Sequence, residues 1–185
     1  MNISDNLERS AYYFSDNIAV IDGDKEFTFA GFNQDACRCA SALVQSGVQP
    51  GEHVALCAPN SYAWLAMYFG ALKAGAVAVT FSHLLTGAEI SQIISDCHPV
   101  VLYTTEEKLD AFKDCEHVSH VKPTIIDNGE FSWSQFLKTG RLDFQTVNRD
   151  RQDTAAILYT GGTTGIPKGA MLSHANLQCS AFNVE

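Results

Sequence analysis

Three short runs constrain this chain more than anything else in it. His53–Cys57 (HVALC), Ala76–Thr80 (AVAVT) and Val100–Thr104 (VVLYT) are solidly apolar, with no alternation of polar and apolar positions. A strand with one wet face alternates; a strand covered on both faces does not. Each run is bounded by turn chemistry, Pro50-Gly51 and Pro59-Asn60 around the first and Pro99 before the third. Between them lie helical stretches. Ser61 is placed to cap a helix running to Lys73, closed by Gly75, and Thr86-x-x-Glu89 is a capping box for a helix running to about Asp96 that Pro99 stops. Short buried strands alternating with helices imply parallel β-α-β units. The expected fold is therefore α/β, a doubly wound and mostly parallel sheet with helices on both faces, its ligands beyond the carboxyl ends of the strands.

The remaining segments fit around that β-α-β core, assigned to 53–127. Leu7–Phe14 reads as a short amphipathic helix. Asn17–Ile21 and Glu26–Phe29 read as a hairpin over 17–29, turned by Asp22–Lys25. Ala30–Ser46 carries Phe32, Ala36, Ala40, Leu43 and Val44 on one stripe and ends at Gly47. Glu106–Lys113 reads as a helix, Pro123–Asp127 as a strand, and Ser132–Lys138 as a helix closed by Gly140. Residues 139–153 are polar and are expected to form a surface connection.

Composition excludes several function classes. Twelve Lys and Arg against 21 Asp and Glu give a formal charge of −9, and the basic residues are scattered, so a basic nucleic-acid binder is excluded. The first residues lack a basic and an apolar targeting region. The most apolar window, Ala63–Phe81, carries Lys73 and two glycines and reads as helix, turn and strand rather than a membrane span. These features point to the cytoplasm. Six cysteines without a CxxC pair read as reduced, buried small apolar residues. A metal site at Cys115, His117 and His120, with Cys97 and His98 upstream, is the sharper alternative, but its spacing matches no recognised zinc pattern.

The segment that carries chemistry is Asp153–Leu177, within the unit 154–185. An apolar strand, Ala155–Tyr159, empties into Thr160-Gly161-Gly162-Thr163-Thr164-Gly165-Ile166-Pro167-Lys168-Gly169. A second apolar piece, Ala170–Leu172, precedes Ser173, which caps a last helix. Glycines let backbone N–H groups approach an oxyanion closely, threonine hydroxyls add donors, and lysine adds a point charge. Pro167 before Lys168 rules out a Walker A loop, and the glycine spacing rules out G-x-G-x-x-G. The composition points to a phosphate cradle rather than a plain turn.

TGGTTGIPKGAMLSHANL resembles the phosphate-loop signature T-S-G-T-T-G-x-P-K-G of the adenylate-forming superfamily, which holds acyl-CoA synthetases, luciferases and peptide-synthetase adenylation domains. Gly161 stands where serine is usual, as in bacterial-type long-chain fatty-acyl-CoA ligases. PNSYAWLAMYFGALKAGAVAV (59–79), FTFAGF and GVQPGEHVAL resemble further parts of the same family, so the resemblance spans nearly all of residues 1–185. It implies the N-terminal portion of an AMP-binding domain that activates a carboxylic acid, by this reading a fatty acid, with ATP and Mg2+ to an acyl-adenylate and then to a coenzyme A thioester. It implies hydroxyl donors at Thr160, Thr163 and Thr164, backbone donors and room at Gly161, Gly162 and Gly165, and a phosphate-pairing charge at Lys168.

The family's adenine, ribose and magnesium residues and its C-terminal domain with a catalytic lysine lie beyond position 185. The chain is therefore expected to be an incomplete piece, inactive alone, with uncovered apolar surface that favours a homodimer. Contact with a membrane surface stays open. An aryl- or amino-acid-activating enzyme and a non-catalytic nucleotide-binding or interaction module are the competing readings. His174 is either a contact to the phosphate or acyl side or a packing residue. Trp64, Tyr68 and Phe69 are either acyl-tunnel walls or core. Asp16, Asp22, Asp24 and Glu26 read as a solvated hairpin end.

Overall fold

The central sheet grows from the three apolar runs. In the computed structural model, which describes residues 1–112, 121–126, 133–160 and 167–183, β3 (His53–Cys57) lies between β4 (Val77–Thr80) and β5 (Val101–Thr104) and runs parallel to both. Val54 pairs with Ala78 on one side and Val101 on the other. Every residue of β5, and every residue of β3 after His53, is buried. Successive side chains go to opposite faces and both faces are covered, as an unalternating run requires.

The two faces are covered by different helices. Val54, Leu56, Ala78, Val101 and Tyr103 pack with Ala40 and Leu43 of α2 (Phe29–Gln45) and with Met67 and Ala71 of α3 (Tyr62–Lys73). Ala55, Cys57, Val77, Val79 and Leu102 pack with Ile90, Ile93, Ile94 and Cys97 of α4 (Gly87–Cys97). Each fully buried isoleucine contributes roughly 1.5–3 kcal/mol relative to exposure. β6 (Lys122–Ile126) and β7 (Thr154–Thr160) extend the sheet in parallel, and β8 (Lys168–Ser173) closes it antiparallel to β7, giving the order β6-β5-β3-β4-β7-β8. The doubly wound, mostly parallel reading is thus the observed one.

The termini of the helices show why the chain turns where it does. The Ser61 hydroxyl accepts from the Trp64 N–H at 3.1 Å, and Thr86 and Glu89 form the reciprocal capping box of α4. The C-terminus of α4 differs from expectation. The turn is made by His98 in the left-handed conformation at φ 44°, one residue before Pro99, so proline prevents continuation while histidine bears the reversal. The hairpin β1 (Ile18–Asp22) and β2 (Lys25–Thr28) leads into α2. Asp22 is not only a solvated hairpin end: its carboxylate accepts from the Tyr62 N–H at 2.9 Å and ties the hairpin to the first turn of α3.

Residues 139–153 form the surface connection that their polar composition announces, none of them buried, and they also carry contacts that the composition does not announce. The stretch follows α6 (Trp133–Thr139) and touches α2 at Cys37 and the last residue of α3, Lys73. Phe144 packs on the core, the Cys37 thiol donates to the Phe144 carbonyl, and the Val147 N–H donates to the Lys73 carbonyl at 2.8 Å. Lys73 itself is fully buried. Its ammonium donates to Glu8 of α1 (Asp5–Tyr13) at 2.5 Å and to the Thr146 hydroxyl at 3.2 Å. Asn2 adds bonds to the Leu72 and Val147 carbonyls at 2.6 and 3.1 Å. The polar composition therefore serves a knot between the N-terminus, α3 and a strap, because burying one lysine demands a carboxylate and further oxygens around it.

Cys37, Cys39, Cys57 and Cys97 are buried free thiols and Cys179 is an exposed one, while Cys115 lies outside the described residues. No described helix is long and apolar enough to cross a membrane. The Ala63–Phe81 window divides into α3, the turn at Gly75 and β4.

Candidate functional site

β3, β4 and β7 run in one direction and end together, at Cys57, Thr80 and Thr160. The residues at and just past those ends enclose a cavity of about 410 Å³, with Asn60, Trp64, Thr80, Ser82, His83 and Thr160 among its walls. This is the carboxyl edge where a sheet of this class receives ligands. No carboxylate stands among the described lining residues of this cavity. That matters in a chain of net charge −9, since an anion is repelled from most of its surface. A larger cavity of about 560 Å³ on the α4 side of β7 and β8 is lined by Asp96 and Asp153 as well as Arg149 and is less suited to a polyphosphate.

Two of the seven expected phosphate-site residues are described, Thr160 and Lys168. They are direct cross-strand partners, Thr160 as the last residue of β7 and Lys168 as the first of β8. Lys168 is exposed. Thr160 lines the cavity, and Lys168 is its neighbour across the ladder. Gly161, Gly162, Thr163, Thr164 and Gly165 lie outside the described residues. The buried hydroxyl of Thr104 donates to the Cys57 carbonyl at 2.8 Å and joins the ends of β5 and β3.

The structure also settles the residues that carried two readings. His174, first residue of α7 (His174–Phe182), is buried at 2% exposure. Its Nδ1 accepts from the Ile3 N–H at 3.1 Å, and its own N–H donates to the Asp153 carbonyl at 3.1 Å. Burial, reinforced by Arg149, holds its pKa below the ordinary histidine value, so the ring is a neutral acceptor. It anchors the N-terminus and does not line the candidate cavity, which removes it as a phosphate or acyl contact. Ser173, its neighbour, caps α7 through Asn176.

Trp64 does reach the candidate cavity, half-buried and stacked on Tyr68 at 5.5 Å between ring centroids. Tyr68 and Phe69 turn elsewhere, into an apolar cavity of about 360 Å³ with Ile3, Leu7, Leu72 and Leu177. Of the three aromatic residues, only Trp64 belongs to the site. Cys115, His117 and His120 lie outside the described residues, and the described ones hold no group of three or more His, Cys, Asp or Glu that would ligate a metal.

Sequence reasoning missed one feature of the site. The Tyr159 hydroxyl, beside Thr160, donates to the Asp96 carboxylate of α4. The two residues are 63 positions apart, and no local pattern announces the pair.

Comparison with known proteins agrees with this geometry. A sequence model of the family described as AMP-binding enzyme matches residues 7–185. The long-chain-fatty-acid–CoA ligase FadD13 of Mycobacterium tuberculosis is 35% identical over 164 residues, which cover 85% of this chain and 32% of that protein. The crystal structure of the anthranilate CoA ligase AuaEII in complex with anthranoyl-AMP superposes with a TM-score of 0.93 at 28% identity, over 98% of this chain and 35% of the other. A long-chain-fatty-acid-CoA ligase, FadD1 of Archaeoglobus fulgidus, superposes with a TM-score of 0.90 at 26% identity, over 98% and 38%. This chain thus spans about a third of the length of the proteins it is similar to. Matched over almost its whole length, and folded as the N-terminal portion of those ligases is folded, the chain belongs to the family of AMP-binding enzymes.

Proposed function

We propose that this chain supplies the phosphate-holding part of an enzyme that activates a carboxylic acid with ATP, forming an acyl-adenylate and pyrophosphate and then a coenzyme A thioester. The observation that carries the reading is Thr160 in the wall of a cavity whose described lining lacks a carboxylate, with Lys168 as its cross-strand partner. In the first step a substrate carboxylate attacks the α-phosphate, and the departing β- and γ-phosphates gather charge. Thr160, Thr163 and Thr164 donate hydroxyls to them, Gly161, Gly162 and Gly165 offer backbone N–H groups, and Lys168 places its ammonium against the leaving charge. These donors fit a polyphosphate. They offer no carboxylate to a Mg2+ ion, so Thr hydroxyls and the phosphates themselves are what would hold it beside this loop.

The proposed substrate is a fatty acid, supported by the long-chain ligases among the similar proteins. An aryl acid is the second reading, favoured by the superposition on an anthranilate CoA ligase. We further propose that these 185 residues do not complete the reaction alone, since each of those ligases has about twice as much chain again. ATP–pyrophosphate exchange, run with a panel of fatty, aryl and amino acids on this chain and on its gene's complete product, tests all three points. Exchange by the complete product with fatty acids is the expected result. Strong preference for an aryl or amino acid overturns the substrate, and robust exchange by the 185 residues overturns the claim of incompleteness.

A further inference from the structure

Lys168 stands on β8, which pairs only with β7 among the described residues, and most of that strand is exposed. The seven residues 161–167 separate it from Thr160, too long a connection to impose a register by turn geometry alone. The ladder runs from Thr154–Ser173 to Thr160–Lys168, and next to Lys168 it opposes Tyr159 and Leu158 with Gly169 and Ala170, whose small size leaves that end the fewest side-chain contacts of its own. A further contact there would hold Lys168 opposite Thr160.

Tyr159 is placed to do so. It pairs directly with Gly169, and a Cβ built on that glycine would lie 3.0 Å from Tyr159 Cζ, 3.1 Å from its Cε2 and 2.7 Å from Cγ2 of Ile157. The glycine is there because the ring and the isoleucine methyl occupy the space a side chain would need. The other end of the ring is fixed: its hydroxyl donates to the Asp96 carboxylate, next to last in α4, and α4 is held to the sheet by buried Ile90, Ile93 and Ile94. The ring thus bridges α4 and β8. Burial and the neighbouring carboxylate push the phenol pKa well above its ordinary value, so the group remains a donor at working pH.

We propose that Tyr159 is a positioning residue for the phosphate loop: its ring seated on Gly169 and its hydroxyl tied to Asp96 set where Lys168 stands relative to Thr160. The proposal rests on the phosphate-binding reading of that loop. Tyr159 is also among the residues lining the candidate cavity, and by this proposal its effect on the rate runs through Lys168. Asp96 is exposed, so an Asp96 left without its donor is rehydrated and global stability changes little. A lysine displaced by even part of an ångström, in contrast, loses much of its hold on the leaving group.

The test is a double-mutant cycle in ATP–pyrophosphate exchange by the gene's complete product, with Tyr159→Phe, Asp96→Ala, Lys168→Ala and the Tyr159→Phe/Lys168→Ala double variant. Tyr159→Phe and Asp96→Ala are each expected to lower kcat by roughly ten- to a hundredfold, with KM for the carboxylic acid unchanged. In the Lys168→Ala background the Tyr159→Phe change is expected to cost less than about twofold, the signature of a residue acting through another. Full additivity in the double variant overturns the proposal, as does a kcat at the parent level for folded Tyr159→Phe or Asp96→Ala. A parent-level rate in Lys168→Ala is a separate outcome that refutes the phosphate-binding reading itself, and the proposal with it.

Discussion

Removing the negative partner of the buried Lys73 is expected to harm the fold more than removing the lysine. The Lys73 side chain is 0% exposed, whereas that of Glu8 is 41% exposed. Glu8→Gln leaves an ammonium in the interior with only neutral oxygens near it. Breaking a fully buried pair in this way costs about 3–5 kcal/mol, and the partial exposure of Glu8 reduces the expectation here to about 2–3 kcal/mol. Lys73→Met takes the buried charge away and keeps the volume, while Glu8 retains the Thr146 hydroxyl and turns its free lone pairs to water. That change is expected to cost no more than about 1 kcal/mol. For a chain of this size the first loss corresponds to a fall in Tm of roughly 5–10 °C.

The pair has a pH signature. Burial would raise the Glu8 pKa, but the bonds from Lys73 and Thr146 outweigh it and hold the carboxyl below the ordinary glutamate value. A depressed carboxylate contributes its stability above the unfolded value, about 4.3, and loses it as pH falls through the lower folded value. Urea unfolding of the parent and both variants between pH 3 and 7 reads these effects. The parent should lose stability below about pH 4 with a component that Glu8→Gln lacks. A Lys73→Met loss larger than that of Glu8→Gln would refute the reasoning.

Gly70 of α3 faces α2 so closely that an added Cβ would sit 2.3 Å from the Cβ of Cys39; Gly70→Ala is expected to cost about 1–3 kcal/mol in urea unfolding, and no measurable cost would contradict the helix contact. His174 titrates below its ordinary value, so the unfolded chain binds the extra proton first: its contribution is whole above about pH 6.5 and is lost as pH falls toward the lowered folded value. His174→Asn, which keeps an acceptor for the Ile3 N–H, is expected to flatten the stability profile just below about pH 6.5, and an unchanged slope would place that titration elsewhere.

What the residues revealed in advance was what local rules govern. β3, α3 and α7 have the bounds that HVALC, Ser61 and Ser173 announce, because a buried run or a capping hydroxyl acts within four positions. The loop after β7 stands out by composition because its glycines, threonines and lysine are close together in sequence, and its role remains the proposal made above. The strap was not legible. Thr146 meets Glu8 and Val147 meets the Lys73 carbonyl across 138 and 74 positions, and neither distance leaves a periodic trace. Lys73 read as an interruption of an apolar window, while in the fold it is the centre of a knot. The same blindness hid Tyr159: an apolar-strand tyrosine looks like core until α4 brings Asp96 to its hydroxyl.

The most direct test of the account is ATP–pyrophosphate exchange by the gene's complete product with and without Lys168→Ala, paired with thermal unfolding of both. Lys168 is exposed and forms no described bond that the fold depends on, so its removal is expected to change stability by less than about 0.5 kcal/mol. Its charge, placed against the leaving phosphates, is expected to be worth on the order of 10²–10³ in exchange rate. A rate loss of that size at an unchanged Tm is the predicted result. An unchanged rate, or a rate lost only together with a large fall in Tm, would contradict the assignment of the Thr160–Lys168 loop to phosphate.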